Sequence, residues 1–139
     1  MKPDEKSPVD LFTSEMDNLQ EQIRKAGTEK LAPVFREIFE KNPGLESIRW
    51  TQYTPYFNDG EECVFRVHLS YPDFRYRSEE DFDEEGYSED SSRRERNRSI
   101  AKELGKLSNY PEPFRAIFGD HVRVTATREG FEVTEYSHD

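Results

Sequence analysis

The sequence has very little of what secreted, membrane or disulfide-bonded proteins need. It contains one cysteine, Cys63, so no internal disulfide can form, which is typical of proteins in a reducing cytosol. No apolar run approaches the roughly 20 residues of a membrane span. Residues 1–6 lead into no secretory signal. We therefore expect a cytoplasmic protein that does not bind membranes.

Motifs for catalysis and cofactor binding are also missing. The seven glycines are scattered, and none forms a phosphate-binding loop. No serine lies in a G-x-S-x-G context, and Cys63 falls at a strand position expected to be buried. The three histidines (His68, His121 and His138) lack the paired spacing of a zinc site. The sequence thus predicts no catalytic residue, no cofactor and no metal ligand.

Calcium binding is the metal hypothesis that comes nearest to a motif. Asp81, Asp83, Glu85 and Gly86 match the first half of an EF-hand loop if Glu is allowed at the fifth position. The twelfth position, which must supply a bidentate Glu, is Ser92. The composition favours weak divalent binding, and a specific site is not predicted.

What the sequence has in abundance is negative charge. Thirty acidic against 20 basic residues give a net charge of −10 and a pI near 4.9. Such a field repels nucleic acid phosphates and anionic membranes, and it attracts basic partners. Glu79 to Asp90, called the acidic segment below, holds eight acids in twelve positions. Residues 73–92 show no periodicity, so we expect a mobile acidic loop there.

Helical periodicity marks the first third of the chain. Ser7 or Asp10 can cap a first helix, whose apolar residues recur at spacings of 4, 3, 4 and 3 before Gly27 ends it: Phe12, Met16, Leu19, Ile23 and Ala26. A second helix follows up to Asn42-Pro43-Gly44, with an apolar face of Leu31, Val34, Phe35, Ile38 and Phe39. The first stripe also matches a coiled-coil seam, but packing on a sheet is favoured because it covers little more than two heptads.

Two hairpins supply the sheet, and we expect the two strands of the first hairpin to form its centre. Ile48, Trp50 and Gln52 alternate in the first strand, Asn58-Asp59-Gly60 is a tight-turn signal, and a return strand carries Cys63, Phe65, Val67 and Leu69 at its buried positions. The last hairpin turns at Arg128-Glu129-Gly130. Its strands carry Val122, Val124 and Ala126, then Phe131, Val133 and Tyr136. Between the hairpins, Ile100, Leu104 and Leu107 form one face of a helix, and residues 113–118 form a short one.

This order predicts one domain, residues 1–139, of the α+β class. Two hairpins form a four-stranded, mostly antiparallel sheet with helices on one face, in the order ααββαββ. The run W-T-Q-Y-T-P-Y-F-N-D-G-E-E-C-V-F-R-V, residues 50–67, resembles a family of small uncharacterised bacterial and phage proteins. The resemblance implies a microbial or viral source and no particular activity.

The interleaving of acids with aromatic rings is the feature that points to a function. Rings supply anchors on a protein surface and acids steer a basic partner. We therefore expect a non-enzymatic inhibitor, of the immunity-protein or nucleic-acid-mimic type, that occludes the basic surface of a partner such as a nuclease. The expected partner-binding residues are Tyr56, Asp59, Glu61, Tyr76, Glu79, Glu80, Asp81, Phe82, Asp83, Glu84, Glu85 and Tyr87.

Three alternatives stay open. For Tyr76, Phe82 and Tyr87, the rings can instead close the loop onto the sheet. For the whole protein, one alternative is a small-ligand binder or hydrolase-type enzyme that uses the hairpin from Trp50 to Glu62, with Asp59 and Glu61 as acid-base groups. Another is a structural or accessory module whose charge serves only solubility.

Overall fold

The computed structural model describes residues 7–55, 60, 63–77, 83–84 and 91–137. These residues contain three helices and six strands. In chain order they are α1 (Pro8–Lys41), β1 (Leu45–Tyr53), β2 (Arg66–Val67), β3 (Asp73–Tyr76), β4 (Asp83–Glu84), α2 (Ser91–Gly105), α3 (Pro111–Phe118), β5 (Val122–Thr127) and β6 (Gly130–Glu135). A 3-10 turn, Lys106–Asn109, links α2 to α3. The predicted α+β class is confirmed, with six described strands where four were expected.

The sheet is antiparallel and is built around β1. Its strand order is β4-β3-β1-β5-β6, and β2 also pairs with β1. One edge of β1 pairs with β5 from Ser47 to Gln52. The other edge pairs first with β3 and then, at its last residues, with β2, where Gln52 lies opposite Val67. The prediction of a central position is therefore confirmed for the Trp50 strand, which has a neighbour on each side. It is wrong for the return strand, because β2 pairs only with β1 among the described strands.

One face of the sheet carries the core. Ile48, Trp50 and Gln52 alternate along β1 on this face and are each at most 2% exposed. Trp50 lies at its middle, with its ring stacked on Phe35 of α1 at 5.4 Å between centroids. The rings of Phe114 and Phe118 of α3, and of Phe131 of β6, approach it edge-on. Alternating apolar residues on a strand are buried together because successive side chains point to opposite faces.

All three helices bring their buried residues to this same face. Phe35 and Phe39 of α1, Leu104 of α2 and Phe114 of α3 belong to one continuous cluster of buried residues with Trp50. The predicted buried face of α2 is confirmed for Ile100 and Leu104, and Leu107 is partly buried against it. The expectation of helices on one side of the sheet holds.

The N-terminal helix corrects the sequence prediction. One helix of 34 residues runs from Pro8 to Lys41, capped by Ser7, where two helices separated at Gly27 were expected. Gly27 lies inside this helix, and α3 passes very close to it. A β-carbon added there would lie 2.5 Å from Ile117 Cδ1 and Cγ1. The glycine therefore permits a close helix contact, and it does not act as a stop signal.

Two predictions for the middle of the chain are also wrong. Cys63 is exposed, whereas Phe65, Val67 and Leu69 are buried as expected, because regular pairing with β1 extends only over Arg66–Val67. Residues 73–76, placed in the acidic loop, form strand β3 with Phe74 fully buried. Ser91 and Ser92 already belong to α2.

The turn between β5 and β6 is fastened to the C-terminal end of α1. The Arg128 guanidinium donates to the carbonyls of Phe39 at 3.1 Å, Pro43 at 3.0 Å and Leu45 at 3.0 Å. It also lies 5.4 Å from the centroid of the Phe39 ring. Helix C-termini have carbonyls without helical partners, and a cationic donor satisfies them. One side chain thus joins α1, the start of β1 and the last hairpin.

Candidate partner-binding site

The residues before and after the acidic segment meet at one place on the core. At the end of β3, the Tyr76 hydroxyl donates to Asn97 Oδ1 of α2, and both side chains are buried. The Arg93 guanidinium, in the first turns of α2, lies 4.5 Å from the centroid of the Tyr76 ring. Tyr76, which precedes the segment, and Arg93, which follows it, are therefore in contact.

The middle of the acidic segment is held by the sheet itself. Asp83 and Glu84 form β4, which pairs antiparallel with β3 so that Asp73 faces Glu84 and Phe74 faces Asp83. β4 is the outermost strand on this side of the sheet in the described residues. Charged residues on an outer strand also discourage pairing with other chains. Residues 83–84 of the acidic segment are thus attached at an edge of the described sheet.

The arginines nearest this edge already have acceptors. Arg49 Nη2 lies 2.9 Å from Asp73 Oδ2 across the β1–β3 pair, with both side chains partly buried. Arg75 and Arg77 each lie within 4 Å of the Glu46 carboxylate. These ion pairs connect β1 and β3, next to the strand β4.

The structure locates only part of the predicted partner-binding set. Asp83 and Glu84 lie in the backbone of β4. Nine predicted residues lie outside the described part of the chain: Tyr56, Asp59, Glu61, Glu79, Glu80, Asp81, Phe82, Glu85 and Tyr87.

Tyr76 is a correction within the set. It is 2% exposed and packs in the core, so it cannot anchor a partner at the surface. For Tyr76 the alternative interpretation, in which the ring packs onto the sheet, is therefore the better one. The cause is the pairing of β3 with β1, which turns Phe74 and Tyr76 to the buried face.

The two predicted groups of residues are attached at opposite ends of β1. The chain leaves β1 after Tyr53 toward Tyr56, Asp59 and Glu61, whereas the acidic segment follows Tyr76, which pairs with Leu45. A nine-residue strand separates these attachment points by roughly 27 Å. Residues 54–62 and the acidic segment are therefore connected to opposite ends of β1.

Sequence reasoning missed a group of rings around Tyr53. Its ring centroid lies 4.8 Å from that of His68, 5.5 Å from that of Tyr136 and 6.5 Å from that of His121. Burial, with a smaller contribution from Tyr136, raises the pKa of the Tyr53 hydroxyl above its ordinary value. The sequence spacing of the two histidines does not indicate that they are close, because the pairing of β1 with β2 and β5 brings them together.

Asp120 joins the residue after the end of β1 to the residue before the start of β5. Its carboxylate accepts from the Thr54 amide at 2.8 Å, the Thr54 hydroxyl at 2.7 Å and the His121 amide at 2.8 Å. Burial opposes ionisation, but these hydrogen bonds outweigh it and hold the pKa of Asp120 below its ordinary value. They fix a turn in which His121 has a positive φ of 54°. This arrangement explains the local structure and requires no ligand.

The described residues include only the first part of the hairpin on which the enzyme alternative depends. Trp50 is 2% exposed and enclosed by phenylalanine rings, so it cannot line an open pocket of the first hairpin. Asp59 and Glu61, its suggested acid-base groups, lie outside the described residues. Within residues 7–55, 60, 63–77, 83–84 and 91–137, no group of three or more His, Cys, Asp or Glu side chains could hold a metal ion.

Comparison with known proteins adds no further constraint. No protein-family model, no curated protein and no solved structure matches this chain. The resemblance of residues 50–67 to small bacterial and phage proteins stays a prediction. No helix in the described part of the chain has both the length and the apolar character needed to cross a membrane.

Proposed function

We propose that this protein is a non-enzymatic binding protein whose acidic segment docks on and occludes a basic surface of a partner protein. The observation that carries the proposal is the attachment of that segment. The residues that flank it are in contact, with the Arg93 guanidinium over the Tyr76 ring, and its residues 83–84 pair as the edge strand β4. An anchored segment loses less conformational entropy on binding than a free one, so more of its interaction energy appears as affinity.

The distribution of charge supports the same proposal. Eight of the 30 acidic residues lie in the acidic segment, and the rest of the chain is close to neutral with 22 acids and 20 bases. A field concentrated on one edge accelerates and orients the encounter with a basic partner. The expected partner is a basic protein such as a nucleic-acid-binding enzyme, and direct binding to DNA or RNA is not expected.

Two variants with equal net charge test this proposal. In the first, six acids of the segment become serine: Glu79, Glu80, Asp81, Asp83, Glu84 and Glu85. In the second, six exposed acids elsewhere become serine: Glu21, Glu29, Glu40, Glu112, Glu129 and Glu132. Both variants lose the same charge, so only the position of the lost charge differs. Pairing of β4 uses backbone groups, so serine leaves it possible.

The measurement is quantitative affinity capture followed by association kinetics. We expect basic proteins captured by the wild type to be retained by the second variant and lost by the first. Their association rate with the wild type should fall steeply as salt concentration rises. Equal capture by both variants would show that net charge, and not the acidic segment, is what matters.

A further inference from the structure

The first half of α1 is a helix without cover. Every residue from Pro8 to Ala26, called the exposed half below, is exposed, and burial begins only at Gly27. At 1.5 Å per residue this segment is about 28 Å long. Isolated helices of such length are marginal in water, and most helices in proteins are stabilised by packing of an apolar face. A partner surface is therefore missing from this helix.

The apolar side chains of the exposed half form a seam for another helix. Val9, Phe12, Met16, Leu19, Ile23 and Ala26 recur at alternating spacings of three and four, which are the a and d positions of a heptad. Val9 is 70% exposed, Phe12 62%, Met16 37%, Leu19 42% and Ile23 50%. Leu11 is also 55% exposed but belongs to a different face.

We propose that a second copy of this chain covers the seam, with the two exposed halves packed antiparallel. The five large side chains leave on the order of 400 Å² of apolar surface per copy, a size at which patches mark interaction sites. Two such patches pressed together, with their flanking residues, approach the about 1,000 Å² of a specific interface. The a and d side chains of one heptad seam can pack against those of an identical seam, so a second copy already carries the complementary surface.

The residues beside the seam permit self-association. The e and g positions are Thr13, Gln20, Glu15 and Gln22. In an antiparallel pair Glu15 faces Gln22 of the second copy, so no like charges meet. The flanks can therefore form polar contacts at no electrostatic cost.

Charge selects the antiparallel arrangement over the parallel one. Asp10, Asp17 and Lys25 lie at outer positions of the heptad and do not distinguish the two arrangements. The rest of the chain does, because it follows the exposed half and carries most of the net charge of −10. A parallel pair would set these two acidic bodies side by side. The antiparallel pair separates them by roughly the length of the exposed half, well beyond the screening distance of about 8 Å.

Sedimentation equilibrium of the full chain, over micromolar to millimolar concentrations, tests the association. We expect a monomer–dimer equilibrium in the wild type. Leu19→Glu, in the seam, should weaken association at least about tenfold, because a charge on a seam contact must be desolvated. Leu11→Glu adds the same charge to an exposed leucine on another face and should leave association unchanged. Circular dichroism checks that both variants keep the α1 helix.

Disulfide trapping tests the orientation. Two single variants are mixed, Glu15→Cys and Gln22→Cys, each in a Cys63→Ser background, so a disulfide between positions 15 and 22 can only join two copies. We expect this disulfide in the mixture, because positions 15 and 22 face each other in an antiparallel pair and not in a parallel one. It should persist when both chains also carry Leu11→Glu and be lost when both carry Leu19→Glu. A wild type that stays monomeric at all concentrations, or equal effects of Leu11→Glu and Leu19→Glu, would overturn the proposal. Dimers that do not form the 15–22 disulfide would overturn the antiparallel arrangement.

Discussion

Gln52 is the buried polar side chain whose replacement we expect to be most damaging. It is fully buried in β1, and its Oε1 accepts from Trp50 Nε1 at 3.1 Å. Its Nε2 donates to the carbonyl of Phe114 at 2.9 Å and to that of Gly119 at 2.8 Å. One amide thus joins the central strand to α3 and to Gly119, the residue that follows α3. Gln52→Met keeps the length of the side chain and removes all three hydrogen bonds.

The magnitude follows from what the substitution leaves behind. The Trp50 indole N–H would be buried without a partner, which costs about 1–3 kcal/mol. The Phe114 carbonyl keeps its helical donor, so the loss there is one hydrogen bond, worth about 0.5–1.5 kcal/mol. The Gly119 carbonyl is only partly buried and can find water. We expect the free energy of unfolding to fall by about 2–5 kcal/mol, a large part of the about 5–15 kcal/mol typical of a domain. The melting temperature should fall by roughly 10 °C.

Urea unfolding followed by tryptophan fluorescence measures this directly, since Trp50 is the only tryptophan. Thr51→Val is the control, because Thr51 is half-buried on the opposite face of the same strand. It should change the free energy of unfolding by less than about 0.5 kcal/mol. If Gln52→Met unfolds at the same urea concentration as the wild type, the amide network contributes nothing and the reasoning is refuted.

Three further perturbations have expected outcomes. Gly27→Ala should destabilise the protein by about 1 kcal/mol despite its better helix propensity, because the new β-carbon meets Ile117. In an Ile117→Ala background the same change should become stabilising by about 1 kcal/mol, which a double-mutant cycle by urea unfolding would show. Arg128→Ala should cost about 1–2 kcal/mol through the lost carbonyl contacts, and Arg128→Lys should recover less than half, because an ammonium cannot reach several carbonyls at once. Asp120 has a lowered pKa, so its stabilising effect is present above the ordinary carboxyl range and lost as pH falls through the folded-state pKa. Thermal melts of Asp120→Asn and wild type should therefore differ at neutral pH and converge in acid; a constant difference would contradict the assigned hydrogen bonds.

Local patterns identified most elements correctly. The alternation of Ile48, Trp50 and Gln52 placed the central strand, since a strand with one buried face has a period of two residues. The same alternation at Val124 and Ala126 placed β5, and Ile100 and Leu104 placed the buried face of α2. In each case the burial imposed by the fold coincides with a periodicity that the residues carry on their own.

The errors arose where a distant contact decided the outcome. Gly27 was interpreted as a helix end because glycine favours turns, but it is required by the approach of Ile117, 90 residues further along the chain. Cys63 has the phase of a buried residue, yet pairing with β1 does not extend to it. Residues 73–76 alternate between charged and aromatic side chains, but four residues beside an acidic run are too short a pattern to predict a strand. Only its pairing with β1 shows that Tyr76 belongs to the core.

The sequence by itself determined the class of the fold, the central strand and the concentration of acids between β3 and α2, because periodicity and charge are local properties. Only the tertiary structure decided which distant residues the helices and strands contact. It buried Tyr76 against Asn97, gathered Tyr53 with two histidines, and left the apolar seam of α1 uncovered. Contacts between residues far apart in the chain depend on how helices and strands pack, and no local pattern specifies them.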